Sequence, residues 1–82
     1  MRIELRERIG DRDPETVATA SLREDGTVEI VGEPTSVEFL SLFRVCPAGS
    51  DDWVSKDESP SLWLELIPQF ISTPHRWAER VD

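Results

Sequence analysis

Few residues in this chain have the types that catalysis or ligand chemistry requires. There is one histidine, His75, and one cysteine, Cys46, and two adjacent acid pairs, Asp51-Asp52 and Asp57-Glu58, flank Trp53. Nucleophilic catalysis needs a hydroxyl or thiol within reach of a base. His75 follows a proline with no Ser or Cys elbow beside it, so it reads as a surface residue. Cys46 precedes Pro47 and lies two residues from Arg44. A neighbouring cation lowers a thiol's pKa, yet a partly buried spectator thiol is the better reading. The acid pairs lack the alternating ligand spacing of a calcium loop, and one Cys with one His makes no zinc site. Glycines 10, 26, 32 and 49 are dispersed and form no phosphate-cradling loop. The expectation is a non-enzymatic protein without metal or cofactor, acting through contact with a protein partner or a second copy of itself.

Size and charge narrow the classes further. Eighty-two residues make a single domain spanning 1–82, small enough to leave little surplus stability for a large active-site cavity. Seventeen acids against nine bases give a net charge of −8. That balance argues against nucleic-acid binding, which needs clustered Lys and Arg on phosphates. Solubility is its plain explanation. The sharper alternative is an antitoxin-like or DNA-mimicking inhibitor whose acids face a basic partner. A single cysteine, no signal-like N-terminal region and no apolar run of membrane-spanning length point to a cytoplasmic, bacterial-like protein.

The elements that position these residues follow from periodicity. Arg2 to Ile9 alternates, with Ile3, Leu5 and Ile9 on one face and Arg2, Glu4, Arg6 and Arg8 on the other, as a half-buried strand does. Glu7 breaks the pattern on the apolar face near the strand end. Thr16 to Glu24 and Thr27 to Val31 read as a hairpin. A two-residue turn at Asp25-Gly26 would mix apolar and polar faces. A three-residue loop, Glu24-Asp25-Gly26, with Gly26 left-handed, pairs Leu22 with Val28 and Ala20 with Ile30 and segregates the faces. That register is expected, with Val17, Thr19, Ser21 and Arg23 on the outer face. A helix from about Ser36 to Arg44 follows. The Thr35-x-x-Glu38 spacing matches a capping box, Val37 and Leu40 face the sheet, and Ser36 points outward. Trp53-Val54-Ser55 is a short extended piece, with Trp53 a lid on the core edge or, alternatively, a ligand-stacking residue.

Ser59 to Phe70 is the densest apolar run. Ser59 caps it, Pro60 takes the first helical position, and Pro68 ends the regular helix near Ile67. Leu62, Leu66 and Phe70 share one face, widened by Trp63 and Ile67, and Leu64 points away. Thr73-Pro74 opens either a helix or a strand over 75–81, and the strand is preferred because it gives the sheet a fourth member. The three tryptophans and three phenylalanines exceed what so small a core easily covers. Trp63, Leu64, Trp77 and Trp53 are therefore the candidate interaction residues, with a self-complementary patch and homodimer as one form of the contact.

Asp25-Gly26-Thr27-Val28-Glu29, Gly32-Glu33-Pro34, Leu64 to Phe70 and Pro74 to Glu79 together resemble a group of small, acidic, uncharacterised bacterial proteins. The resemblance implies a bacterial cytoplasmic origin and supplies no activity, ligand or functional residue. The expected fold is α+β: an antiparallel sheet of three or four strands with two short helices on one face, in the order β-β-β-α-α-β.

Overall fold

Alternation along the first strand lays the floor of the core, and the rest of the chain builds on it. The computed structural model describes residues 1–81 as β1 (Arg2–Glu7), β2 (Glu15–Leu22), β3 (Val28–Gly32), α1 (Pro34–Leu42), α2 (Pro60–Phe70) and β4 (Arg76–Arg80). The strands form one antiparallel sheet in the order β3-β2-β1-β4. This is the expected α+β fold and element order, with β4 as the fourth strand. Ile3 and Leu5 of β1, Ala18 and Ala20 of β2 and Ala78 of β4 are buried in one cluster with Leu40, Val45, Trp63, Leu64, Ile67 and Ile71.

The hairpin takes the expected register, Leu22 opposite Val28 and Ala20 opposite Ile30. Gly26 has φ +88°, as the three-residue loop requires. The Asp25 carboxylate accepts from the Thr27 backbone N–H at 3.0 Å and from its hydroxyl at 2.6 Å. Strand bounds differ slightly, since β2 ends at Leu22 and β3 begins at Val28.

Val17 is the main departure within the sheet. It is buried, where the alternation puts it outside. Leu5 pairs with Ala18 but Arg6 with Thr16, so Val17 is an extra residue in a β-bulge. A bulge brings two successive side chains to the same side and so breaks the period of two. Gly32 accommodates this bend. Its φ is +152°, and a Cβ there would lie 2.4 Å from the Val17 carbonyl oxygen and 2.6 Å from the Ala18 Cα. β1 also stops at Glu7, two residues short of the expected end, and Ile9 is exposed.

The outer sheet face is polar and cross-linked. The Arg6 guanidinium donates to Thr16 Oγ1 at 2.9 Å and to the Pro14 carbonyl at 3.2 Å. Arg6 Nε lies 3.4 Å from a Glu79 carboxylate oxygen, tying β4 to β1. Opposite charges across strands contribute a few tenths of a kcal/mol each, up to about 1 kcal/mol.

Both helices depart from the expected detail. α1 starts at Pro34, with Glu33 at the N-cap and no side-chain cap, so Thr35 lies inside the first turn and the capping box does not form. Ser36, expected to point outward, lies one turn before Leu40 on the inward face and is buried with it. The helix ends at Leu42, because Phe43 is extended with ψ 137°. α2 starts as expected at Pro60 but runs through Pro68 to Phe70. Proline removes the bond to the Leu64 carbonyl, yet the Ile71 N–H still reaches the Ile67 carbonyl at 3.0 Å and Ile71 is buried. One lost bond near the end of a helix is outweighed by that anchor.

The rotation of α2 also differs. Trp63, Leu64 and Ile67 face the core, Leu62 and Leu66 are half-buried, and Phe70 is exposed. Trp63 decides this. Its indole N–H donates to the Phe43 carbonyl at 2.8 Å, so the largest side chain is buried with its one polar atom satisfied.

Candidate functional site

At one end of the sheet, β1 finishes, β4 begins, and the C-terminal turns of both helices arrive. They leave between them a cavity of about 680 Å³, lined by residues of both strands and both helices. β1 and the turn after it supply Glu7, Arg8, Ile9 and Gly10, α1 and its cap supply Phe39 and Phe43, and α2 contributes Phe70 and Ile71. Thr73, His75 and Arg76 close the remaining side.

Each wall has a local cause. Glu7 lies on the core side of β1 directly opposite Arg76 of β4. A carboxylate at an inward position needs a cation, and Arg76 donates to its Oε2 from Nε at 3.1 Å and from Nη2 at 2.8 Å. The same guanidinium sits 5.0 Å from the centroid of Phe39, whose ring is 5.4 Å from that of Phe43. Charge and ring quadrupole reinforce each other across this row. Arg76 is placed by a clasp with Thr73. Thr73 donates from its N–H and hydroxyl to the Arg76 carbonyl, at 2.9 and 2.7 Å, and the Arg76 N–H donates back to the hydroxyl at 3.0 Å.

Apolar surface continues from the cavity wall outward. Ile9 is 61% exposed and Phe70 39% exposed, and Trp53, 54% exposed, meets Phe70 edge to face at 6.1 Å. Gly10, at φ +61°, turns the chain away after Ile9 and leaves that side chain standing at the mouth.

The four candidate interaction residues separate. Trp63 and Leu64 are fully buried, so neither can touch a partner while the protein is folded, and that expectation is corrected. Leu64 is enclosed because α2 is rotated about its axis relative to the expected orientation. Trp77 is half-buried on the outer sheet face, beneath the Arg8 guanidinium at 5.7 Å. Trp53 is exposed and adjoins the groove through Phe70. His75 sits at the groove's rim. Cys46 lies apart in the loop after α1, its thiol donating to the Ser50 carbonyl at 3.0 Å, and neither Cys46 nor Trp53 lines a described cavity.

Sequence reasoning missed Phe39, Phe43, Phe70, Ile9 and Arg76 as site residues. One signal was present: Glu7 on an apolar face calls for a cation on the neighbouring strand, and Arg76 shares its parity.

Comparisons with protein-family models, with curated proteins and with solved structures find no match.

The groove therefore rests on its own geometry. Among the described residues no group of three or more His, Cys, Asp or Glu is placed to hold a metal ion, and no helix is long and apolar enough to cross a membrane.

Proposed function

We propose that this protein works by binding another protein, with the groove between the sheet end and the helix C-termini receiving an apolar side chain of a basic-flanked segment. The observation that carries this reading is the continuous apolar surface of Phe39, Phe43, Phe70 and Ile9, extended by Trp53, around the Glu7–Arg76 pair. Phe39 and Phe43 also pack partly on the core, but with Ile9 and Phe70 they leave apolar area facing solvent that the fold itself does not cover, and contiguous exposed apolar patches mark interaction sites.

Arg8 and Arg76 outnumber Glu7 in the groove itself, so the choice of a basic-flanked partner rests on the surrounding surface. The net charge of −8 draws basic partners over distances that uncharged surfaces do not reach. Asp51 and Asp52 are exposed immediately beside Trp53, at one end of the apolar surface. The exposed acids come from almost every segment, including Asp11, Glu29, Glu38, Glu65 and Glu79. That dispersal favours steering toward an apolar anchor over a wholly electrostatic inhibitor surface.

The test is an NMR titration of the intact protein with two short synthetic peptides. One carries an aromatic anchor between lysines, and its twin carries the same anchor between glutamates. The lysine peptide is expected to shift the amides of residues 7–10, 39–43 and 70–76, less so as salt is raised. Absence of shifts in those segments at millimolar peptide, or equal response to the twin, overturns the reading.

A further inference from the structure

The two edges of the sheet are treated differently. At the β4 edge, the chain from Ile71 to Thr73 folds back alongside. The Ala78 N–H donates to the Ile71 carbonyl at 2.9 Å, the Thr73 N–H donates to the Arg76 carbonyl at 2.9 Å, and Ser72 bridges Trp77. Among the described residues, no segment covers the β3 edge in this way. Arg23 and Thr27, and Val17 and Glu33, bond to each other across the hairpin, and the Leu22 N–H turns instead to the Met1 carbonyl. It follows from the antiparallel alternation that Glu29 and Val31 spend their backbone groups on β2, while Val28, Ile30 and Gly32 turn theirs outward. Among the described residues, no hydrogen bond reaches the backbone of those three.

Natural edge strands are blunted by lysine, proline, bulges or a covering segment. β3, Val28-Glu29-Ile30-Val31-Gly32, is short and carries one exposed charge, Glu29, but has no lysine and no proline, and the exposed Val31 on the same face is apolar. We infer that β3 is a self-association edge, pairing antiparallel with β3 of a second copy about a two-fold axis at Ile30.

The sequence of the strand selects that occupant and register. Antiparallel pairing must match outward residues with outward residues. With the axis at Ile30, Ile30 faces Ile30 of the second copy and Val28 faces Gly32, so every outward backbone group on both strands is satisfied. Glu29 then stands across from Val31 of the second copy. Sliding by one pair toward the hairpin loop sets Glu29 against Glu29, two carboxylates directly opposed, which disfavours it. Sliding the other way leaves Val28 unpaired. On the helix-bearing side the half-buried Ile30 meets Ile30 of the second copy, while Val28 lies opposite Gly32 of the second copy. The result is a continuous sheet in which each copy's β4 edge, already covered, lies outermost. The groove draws its strand residues from β1 and β4 and remains open, so this inference does not depend on what the groove binds.

Sedimentation of the intact protein from micromolar to millimolar concentration tests it, together with three variants. Val31→Lys sets an ammonium across from Glu29 of the second copy, twice by symmetry, and is expected to tighten association by roughly twofold to thirtyfold. Val31→Glu opposes two carboxylates and is expected to weaken it by a similar factor. Val31 is exposed in the monomer, so neither change disturbs the fold. Gln69→Lys, on an exposed position of α2, makes the same charge change as Val31→Lys and is expected to leave association within about twofold. In the dimer the amides of Val28, Ile30 and Gly32 become protected from hydrogen exchange. A constant mass of 9.3 kDa at millimolar concentration overturns the inference. So does a dimer in which those amides stay unprotected, in which the two Val31 variants act alike, or in which Gln69→Lys matches Val31→Lys.

Discussion

Trp63 and Phe70 lie two turns apart on one helix, and the fold treats them in opposite ways. Trp63 is fully buried, with its indole nitrogen bonded to the Phe43 carbonyl, whereas Phe70 stands at the mouth of a groove with Trp53 against its edge. Both belong to the same apolar run. Burial of an aromatic ring stabilises in proportion to area removed from water, so a helix that hides one large ring and leaves another exposed is doing two jobs along its length. Trp63, Leu64 and Ile67 along α2 and Ile71 at its end are buried and hold the protein together, and Phe70 in the last turn leaves its ring facing solvent.

The sharpest way to break this comparison is to truncate both rings. Trp63→Ala is expected to cost about 3–5 kcal/mol, comparable with the whole stability of a domain this small. Urea denaturation should show it unfolded or barely folded. Trp63→Phe keeps most of the volume and loses the bond to Phe43, leaving a buried carbonyl unpaired, for about 1–3 kcal/mol. If Trp63→Ala melts like the parent protein, the buried role assigned to this ring is wrong.

Gly32 belongs with Trp63 among the structural positions. A Cβ there meets the Val17 carbonyl and Ala18 Cα at the bulge, and φ is +152°. Gly32→Ala is expected to cost about 2–3 kcal/mol. Gly26, at φ +88° but with open space around it, should lose only about 1 kcal/mol on the same change. Parallel thermal melts of the two variants test the ordering.

On the presenting side, effects on stability shrink and effects on binding grow. Phe70→Ser should cost about 1–2 kcal/mol, well below the cost at Trp63, while abolishing the chemical-shift response to the lysine-flanked peptide. Glu7→Gln removes the partner of the half-exposed Arg76 and should alter stability by no more than about 1 kcal/mol. Its clearer signature is loss of the fixed Arg76 side chain, seen as averaging of its guanidinium resonances.

The smallest expected effect lies outside both regions. Hydrogen bonds from the Thr27 hydroxyl and then its N–H hold the Asp25 carboxyl below its usual 3.8. A carboxylate depressed in the folded state stabilises above its unfolded pKa, and this contribution is lost as pH falls below 3.8 and through the folded value. Carbon-detected NMR titration should find Asp25 low, and Thr27→Val should bring it back up.

Much of the scaffold was legible because face segregation leaves little choice. Only one loop length keeps Leu22, Val28, Ala20 and Ile30 together, and the structure adopts it. Val17 was not legible, because a bulge defeats the alternation that locates every other residue in the strand. The rotation of α2 was hidden for a different reason. Leu62, Trp63, Leu64, Leu66 and Ile67 wrap most of the helix, so apolar spacing alone permits several orientations, and the indole bond to Phe43 selects one. The groove was harder still. Its residues come from four elements, and nothing local marks Phe39 or Ile9 as neighbours of Phe70.

The Glu7–Arg76 contact joins positions 69 residues apart. The β2–β3 hairpin closes over a three-residue loop and can form early, but β1 meets β4 only after nearly the whole chain has been gathered, against a larger closure entropy. The groove, built on that contact, is expected to form late in folding and to be lost when β4 frays. A partner that requires it would recognise only completed molecules, with the order of assembly serving as a check on maturity.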